Sequence, residues 1–302
     1  MPKKRRACCG VINKMKLFDR IAALALLLCL LPVGCFGEDA PAYAVSRRKT
    51  EAAYDSETLK YTVETLYLNQ TKCYLTTVWV ADPARQIKKA VSPWHQALAK
   101  AEDLGQQIPG AALVINGSGY VSPTYPDIPE NYPGASADYY YTPLGSLTVI
   151  DGEVYRDLEG VPYYGLTLEA DGLHLYAGAD NDAVLAKAPL QTWSFYEGCP
   201  MYLDGQELLD REWPFATRRA IRNVIAKLPQ ENTYVILIST STVGLTLLEA
   251  NDFMIGEYSP EWVYNLDGGP SAALFTRAKG KKKLKLIYGA GQKIVDVMGF
   301  IE

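Results

Sequence analysis

Asp-Gly dipeptides divide the middle of the chain into short runs of apolar, aromatic and β-branched residues. They stand at Asp151-Gly152, Asp171-Gly172 and Asp204-Gly205. Asp-Gly suits the two-residue turn of a β-hairpin, because both residues tolerate positive φ angles. The chain is rich in Tyr and Gly, with 21 and 24 residues, and long patterns of helical period are few. We therefore predict a sheet-rich α+β fold, a single domain in which a mixed β-sheet is accompanied by a few helices.

The flanking segments predict individual strands and helices. Predicted strands cover residues 74–81, 111–115, 216–225 and 233–239. Ser92 followed by Pro93 predicts a helix over residues 92–104, because Ser caps a helix and Pro suits its first turn. A second helix is predicted over residues 244–254, where Thr246 is the cap and Glu249, three positions later, completes a capping box.

The first 44 residues have the pattern of an export signal. Seven Lys or Arg residues precede an apolar run over residues 21–31, which at about eleven residues is shorter than the roughly 20 that a spanning helix needs. Residues 1–44 are therefore predicted to be a signal peptide or membrane anchor. The protein is predicted to be secreted or associated with the cell envelope, and to meet the membrane only through this segment. Two processing routes stay open, namely cleavage after Ala44 and a lipid anchor at Cys35.

The rest of the chain is predicted to be a linker followed by one domain. Residues 45–60 are charged and show no apolar period, which is typical of a solvated linker, and residues 61–302 form the predicted domain. Residues 45–302 carry 23 basic and 31 acidic side chains, a net charge of −8. This negative charge argues against nucleic acid as a partner.

Cysteine and histidine are scarce, which excludes several kinds of site. After residue 44 the cysteines are Cys73 and Cys199, which form one disulfide or stay as two separately buried thiols, and which are too few for a cysteine zinc site. The histidines are His95 and His174, and we interpret both as structural. With no histidine near Ser271 and no Gly-x-Ser-x-Gly motif, a serine hydrolase triad is not expected. Catalysis should therefore depend on carboxylates, arginines and backbone donors.

A carboxylate follows an apolar run directly at residues 263–267. On an extended chain Asn265 and Asp267 share one face, and Gly268 and Gly269 would let a bound group approach the backbone closely. One interpretation is an acid presented to a ligand. The other is an ordinary turn, since Asp and Gly are favoured in turns for local reasons.

Five motifs occur in an order that resembles a known family. They are Ile115-Asn116-Gly117, the Gly-Cys-Pro-Met-Tyr-Leu-Asp-Gly segment at 198–205, Arg218 to Ile221, Gly244 to Glu249, and Asn-Leu-Asp-Gly-Gly at 265–269. Over residues 61–302 this order resembles the phosphodiester glycosidase family. The resemblance implies an exported hydrolase that cleaves the sugar–phosphate bond of glycosyl-1-phosphodiesters, in envelope or exopolysaccharide metabolism. Its partner would be a sugar-phosphate or glycan substrate.

The resemblance also implies catalytic roles for individual residues. Asp267 would be the carboxylate that stabilises an oxocarbenium-like transition state or attacks it. Arg218 would bind the phosphodiester through its two-pronged guanidinium group. Glu249 would position substrate or hold a metal, and with Asp267 it could bind a divalent cation, Ca²⁺ or Mg²⁺. The alternatives are an exposed strand residue for Arg218 and a mere helix cap for Glu249.

The implied substrate-binding residues lie in two of the motifs and just after the second of these. They are Asn116, Gly117, Asn265, Gly268, Gly269 and Ser271. The backbone N–H groups of the two glycines would supplement Arg218 at the phosphate, and Ser271 would assist at the turn. A simpler role for Asn116 is a left-handed turn. A long Tyr- and Pro-rich loop over residues 121–145 would stack on sugars.

The chain departs from the family pattern at four positions. Ser118 stands where the family usually has Gly, Arg219 where it has Thr, and Arg222 where it has Gly. Pro270 replaces another Gly and removes a backbone donor. These departures leave a second class of function open, a non-catalytic envelope module that binds phosphorylated glycans.

Overall fold

The computed structural model describes residues 43–122, 139–289 and 291–302. The predicted signal or anchor segment lies outside these residues, apart from its last two. Residues 42–302 form one compact unit, and the sheet-rich α+β class with few helices is confirmed. Within the described ranges, no helix is long and apolar enough to cross a membrane.

Short strands make up most of the described residues. In chain order they are β1 (Val45–Asp55), β2 (Leu59–Leu68), β3 (Thr71–Val80), β4 (Ile87–Val91), β5 (Ala99–Lys100), β6 (Ala111–Asn116), β7 (Leu147–Ile150), β8 (Glu153–Asp157), β9 (Tyr163–Glu169), β10 (Gly172–Ala179), β11 (Gln191–Ser194), β12 (Pro200–Leu203), β13 (Gln206–Glu207), β14 (Asn223–Lys227), β15 (Thr233–Ser239), β16 (Trp262–Leu266), β17 (Ala273–Thr276), β18 (Lys285–Gly289), β19 (Lys293–Ile294) and β20 (Asp296–Ile301). The helices are α1 (Pro83–Gln86), α2 (Ala101–Gln107), α3 (Asn181–Leu185), α4 (Pro214–Thr217) and α5 (Leu247–Tyr258), and a 3₁₀ turn covers Gly269–Ser271.

The strands form three larger sheets and one small pair. One sheet has the order β1-β2-β3-β15-β14-β16-β12-β13, the second β10-β9-β11-β7-β8 and the third β18-β17-β6-β20-β4, while β19 pairs with β5. The sheets differ from the predicted mixed sheet, because the ladders between these strands are antiparallel. Many neighbours are joined by tight turns, which can connect only antiparallel strands.

The three Asp-Gly dipeptides lie at the predicted hairpin turns. Hairpins join β7 to β8, β9 to β10 and β12 to β13. At the first, Asp151 and Gly152 have φ angles of 51° and 80°, and at the third, Asp204 and Gly205 have 49° and 85°. Two successive positive φ angles match the twist of the flanking strands. The local turn chemistry therefore determines these strand pairs.

Residues 45–60 are not a linker, contrary to the prediction. Residues 45–55 form β1, which pairs with β2 along the edge of the first sheet. Most β1 side chains are exposed, and the buried Tyr54 stacks on Tyr61 of β2 with ring centroids 5.5 Å apart. Charged outward side chains are common on edge strands. Such side chains replace the alternation of apolar and polar residues by which a strand is recognised in a sequence.

The helix predicted over residues 92–104 begins only at Ala101. The Ser92 hydroxyl donates to the Ile294 carbonyl and accepts from the Ala99 N–H, so it is not free to cap a helix. After one turn, His95 takes a φ of 59° and interrupts the helical path. Similarly, the strand predicted over residues 216–225 is shortened to β14, because its first residues belong to α4.

The capping box predicted at Thr246 is present at the start of α5. Thr246 Oγ1 accepts from the Glu249 N–H at 3.0 Å, and Glu249 Oε2 accepts from the Thr246 N–H at 3.0 Å. The helix ends at Ser259, which has a left-handed φ of 46°. This helix is a case in which local sequence alone determines the element.

Cys73 and Cys199 are both buried and both free. They belong to different apolar clusters, on either side of the first sheet's strands. Burial raises the pKa of each thiol to about 12, so neither is a ready nucleophile. Of the two predicted alternatives, separately buried thiols are therefore observed.

Candidate active site

A cleft of about 520 Å³ opens beside the end of β16. Its lining combines aromatic side chains with polar and charged ones. It is lined by Tyr120, Phe195, Tyr196, Trp213, Pro214, Phe215, Arg218, Ala220, Ile221, Arg222, Asn265, Asp267, Gly268, Gly269, Pro270, Ser271 and Gln292. The volume lies in the range of small-ligand sites. In the lining, Asp267 and two arginines are the charged side chains.

Asp267 is placed in the cleft by the end of β6. Its N–H donates to the Gly117 carbonyl at 3.0 Å, and its own carbonyl accepts from Asn116 Nδ2 at 2.6 Å. Asn116 Oδ1 in turn accepts from the Ala273 N–H at 2.9 Å and from Asn223 Nδ2 at 3.0 Å. Three strands that are distant in sequence therefore hold the backbone of Asp267 in one position.

The polar groups of Asn116 and Gly117, which were predicted to bind substrate, are bonded to neighbouring strands. Asn116 is buried, and its amide is used by backbone and by Asn223. The Gly117 N–H donates to the Asp296 carbonyl at 3.2 Å. Neither residue lines the cleft in the described part of the chain. Their hydrogen bonds instead hold the backbone of Asp267.

The carboxyl of Asp267 is partly buried, and this raises its pKa to about 7. Desolvation is the largest cause, and the nearby charge of Asp296 adds to it. Hydrogen bonds from the Ser271 side chain and the Gly268 backbone act in the opposite direction by stabilising the anion. A carboxyl with a pKa near neutrality, in a cleft, is typical of a functional acid or base.

The Gly-Gly turn packs against the chain at Ile221. A Cβ on Gly268 would lie 2.4 Å from the Ile221 carbonyl oxygen, so this position requires glycine. The Gly269 N–H donates to the same oxygen at 2.8 Å. The Gly268 backbone bonds to Asp267. The sequence suggested that the N–H groups of both glycines would bind a phosphate, but in the structure both are already used. Ser271, which was predicted to bind substrate, lines the cleft, and its side chain bonds to the acid.

Asn265 reaches the cleft from the strand that carries Asp267. Its side chain is buried, and Nδ2 lies 3.5 Å from Cys199 Sγ. Its Oδ1 has no hydrogen-bond partner among the described residues. An unpaired buried acceptor costs free energy, so a ligand donor such as a sugar hydroxyl would be favoured here.

Arg218 and Arg222 both lie over the ring of Phe215. The guanidinium carbon of Arg218 is 5.7 Å from the ring centroid and that of Arg222 is 4.6 Å. Arg218 is exposed, whereas Arg222 is only 2% exposed. Arg218 was predicted to belong to this site. Arg222 was noted only as a departure from the family pattern, and its place in the cleft depends on contacts that the sequence does not reveal.

The aromatic wall was not predicted from the sequence. Phe195 and Tyr196 have ring centroids 4.3 Å apart, and Trp213 and Phe215 have centroids 4.8 Å apart. Such faces suit stacking on a sugar ring. The sequence analysis placed stacking in the loop over 121–145, most of which lies outside the described residues. Trp213 and Phe215 stand close before Arg218 in the chain, and this proximity is the signal that could have found them.

Glu249 does not line the cleft of Asp267, so its predicted catalytic role is not supported. It lies in a separate depression, where its Oε1 pairs with Arg219 and accepts from Asn69 Nδ2 at 3.0 Å. Its Oε2 completes the helix cap. The alternative interpretation, a helix cap, is therefore the observed one. A cation shared by Glu249 and Asp267 has no support from this arrangement.

The histidines also lie away from the cleft in the described chain. His174 Nε2 lies 2.8 Å from Asp171 Oδ1, and this contact lowers the pKa of Asp171. Together with Glu169 these side chains form a group on the β9–β10 hairpin that could hold a metal ion. Glu169 Oε1 already accepts hydrogen bonds from Thr167 and Tyr176.

A fully buried ion pair lies behind the site. Lys89 Nζ is 2.9 Å from Asp296 Oδ2, and both side chains are 0% exposed. Asp296 Oδ1 also accepts from the Ser118 N–H at 2.6 Å. Burial lowers the pKa of Lys89, while the attraction of Asp296 opposes this effect. The pair fixes the chain just after β6, next to the residues that position Asp267.

Comparison with known proteins explains why these features occur together. A family model described as phosphodiester glycosidase matches residues 109–301. The chain belongs to this family. The phosphodiester glycosidase match includes both arginines, Asp267 and the residues of β6. Among curated proteins, the sequence comparison finds no match.

Solved structures share the phosphodiester glycosidase fold of this chain. One is the catalytic domain of zebrafish N-acetylglucosamine-1-phosphodiester alpha-N-acetylglucosaminidase, auto-inhibited by its pro-peptide. It has 14% identity and a TM-score of 0.59, with 86% of this chain and 88% of that chain covered. A hypothetical protein from Synechocystis has 13% identity and a TM-score of 0.52, with 87% and 64% covered. At these identities the likeness concerns the fold alone.

Proposed function

We propose that the protein hydrolyses the bond between a sugar and phosphate in glycosyl-1-phosphodiesters. The observation that carries this proposal is the carboxyl of Asp267, which has a pKa of about 7 and shares a cleft with Arg218. Near neutral pH such a group is available in its ionised form. The family supplies the reaction type, a hydrolase of the phosphodiester glycosidase type.

The residues of the cleft suit the charges of this reaction. When the bond between C1 and the phosphate oxygen breaks, its electron pair leaves with the phosphate and the sugar gains positive character. Ionised Asp267 stabilises that positive charge and assists water in attacking C1. Arg218 neutralises the charge that grows on the departing phosphate. Phosphate is already a good leaving group, so a separate general acid is dispensable.

We place this activity outside the cytoplasm, on envelope or exopolysaccharide material. The support is the basic and apolar pattern of residues 1–44. The aromatic wall of the cleft, with Trp213 and Phe215, suits a sugar ring. A substrate of this kind carries both the apolar sugar face and the anion that the cleft accommodates.

A second candidate is a module that binds phosphorylated glycans without cleaving them. It is favoured by the turn after Asp267, where Gly269 donates to Ile221 and Pro270 has no N–H. Fewer backbone donors therefore remain to stabilise a developing charge. The two candidates share ligand chemistry and differ in turnover.

Sugar release from a panel of glycosyl-1-phosphodiesters distinguishes the two candidates. We expect the purified full-length protein to release free sugar from at least one member, without added metal. The variant Arg218→Gln should release it at least tenfold more slowly, because the guanidinium is lost from the phosphate site. The binding module would be supported instead if the protein bound members of the panel but released sugar from none of them. An intact melting transition would show that this protein is folded.

Glu249→Ala is expected to affect stability and not turnover. Loss of the capping box and of the pair with Arg219 should lower the free energy of unfolding by about 1 kcal/mol. Urea unfolding measures this change, and sugar release at 25 °C should remain within twofold of the parent. A large loss of turnover in folded Glu249→Ala would restore the catalytic role that the sequence suggested.

A further inference from the structure

Arg222 is a buried cation without an anionic partner. It is 2% exposed and lines the cleft. Its hydrogen bonds go to carbonyl oxygens, from Nε to Leu245 at 3.2 Å and from Nη2 to Phe215 at 2.6 Å and Arg218 at 2.5 Å. Its other amino group, Nη1, has no hydrogen-bond partner in the described chain. A guanidinium in such a position would gain from a ligand anion.

The surroundings of Arg222 make its positive charge unfavourable unless a negative charge lies nearby. Burial, and to a smaller extent the neighbouring charge of Arg218, lower its pKa to about 10. No carboxylate of the described residues forms an ion pair with it, and the charge that most affects Asp267 is that of Asp296. Buried charges in proteins are normally paired or bound to a ligand.

The two arginines differ in depth but share one aromatic ring. Arg218 is exposed and Arg222 is buried, and both lie over the ring of Phe215. One phosphodiester carries a single negative charge, which one bidentate arginine satisfies. The second, deeper guanidinium is then left for a second anionic group on the same ligand.

We propose that Arg222 makes this cleft selective for ligands with two adjacent anionic groups, with diphosphate as the chemistry it recognises. Under the proposed function, on which this part rests, the substrate would be a glycosyl diphosphate. Water adds at C1 and gives a proton to the Asp267 carboxylate, the C1–O bond breaks, and the diphosphate ester leaves with the electron pair. Anion recognition itself requires no turnover and can be measured separately.

Calorimetric titration with inorganic pyrophosphate and inorganic phosphate tests this proposal. We expect the full-length protein to bind pyrophosphate at least tenfold more tightly than phosphate. Arg222→Gln should weaken pyrophosphate binding by about 10-fold or more and phosphate binding by less, since it removes a charge-assisted donor. The control is Arg219→Gln, which changes an arginine of the same segment outside the cleft and should leave both affinities unchanged.

A structural role for Arg222 predicts a different pattern. Because its side chain also bonds three carbonyl oxygens, Arg222→Lys serves as a second variant that keeps the charge and loses the planar fork. We expect it to bind pyrophosphate more weakly than the parent and more tightly than Arg222→Gln. Equal affinity of the parent for both anions, or parent-like selectivity in either folded Arg222 variant, would overturn the inference.

The outcomes also separate this inference from the proposed function. Selective pyrophosphate binding through Arg222 without any release of sugar would reject the hydrolase and leave the inference standing. The opposite result is a protein that releases sugar from glycosyl-1-phosphodiesters but binds pyrophosphate and phosphate equally well. It would support the hydrolase and reject the inference about Arg222.

Discussion

Replacing Asp267 by Asn lowers sugar release by about 10²–10⁴-fold, the range expected for loss of a charged catalytic group. Asn has nearly the same shape, and the backbone of residue 267 stays bonded to Asn116 and Gly117. The cleft therefore keeps its geometry and loses the anion that stabilises positive charge at C1. Initial rates on the best substrate of the panel, measured beside the parent, give this ratio.

The pH dependence of the parent provides a second measurement of the same group. Because the pKa of Asp267 is raised to about 7, kcat/KM should rise tenfold per pH unit below pH 7 and level off above it. In Ser271→Ala the hydrogen bond that lowers this pKa is lost, so the midpoint should move to higher pH. A rate that instead falls through pH 7 would show that Asp267 acts as an acid.

The stability of the parent should change with pH in the opposite sense to its activity, whereas that of Asp267→Asn should lack this dependence. The ordinary Asp pKa is 3.8, so between pH 4 and 7 the folded parent retains a proton that its unfolded state releases. The parent therefore loses stability as pH rises through this window, and Asn does not. At pH 8 we expect the variant to be more stable by about 1–2 kcal/mol, allowing for partial exposure. Equal stability at every pH would contradict the raised pKa.

The sequence identified the parts of the molecule that local chemistry determines. The turns at Asp151-Gly152 and Asp204-Gly205 depend only on neighbouring residues, and so does the capping box of Thr246 and Glu249. The turn after Asp267 belongs to the same class, and the structure places this acid in the lining of a cleft of about 520 Å³. Such features follow from backbone preferences over four or five residues.

The parts that were missed depend on contacts between distant segments. Asn116 has a polar side chain at a strand end, and only its bonds to Asp267, Ala273 and Asn223 show that it positions the acid. Glu249 fits a catalytic motif by sequence, yet its helix faces a different depression. A polar residue in a motif therefore does not reveal whether it faces the ligand or the neighbouring strand.

The edge strand β1 was missed for a related reason. Its side chains are charged and exposed, so its only strong evidence is the pairing with β2. Pairing energy comes from backbone hydrogen bonds, which every sequence can make. Tertiary context consequently overrides the composition that suggested a linker.

Lys89→Met is expected to lower the free energy of unfolding by about 3–5 kcal/mol, the cost of leaving one buried charge without its partner. Both Lys89 and Asp296 are fully buried and lie 2.9 Å apart. Met fills a similar volume, so loss of packing contributes little. Urea unfolding at pH 7.5 measures the change, and the melting temperature should fall by about 10 °C.

Two further variants test whether the unpaired charge is the cause. Lys88→Met changes the neighbouring, half-buried lysine of β4 and should alter stability by no more than about 0.5 kcal/mol. Adding Asp296→Asn to Lys89→Met removes the stranded anion while keeping an acceptor for the Ser118 N–H, so the double variant should recover part of the loss. If the double variant is no more stable than Lys89→Met alone, the destabilisation comes from packing around β4. Recovery would show that the unpaired charge of Asp296 causes the loss of stability. This charge lies beside Gly117, whose carbonyl accepts from the Asp267 N–H.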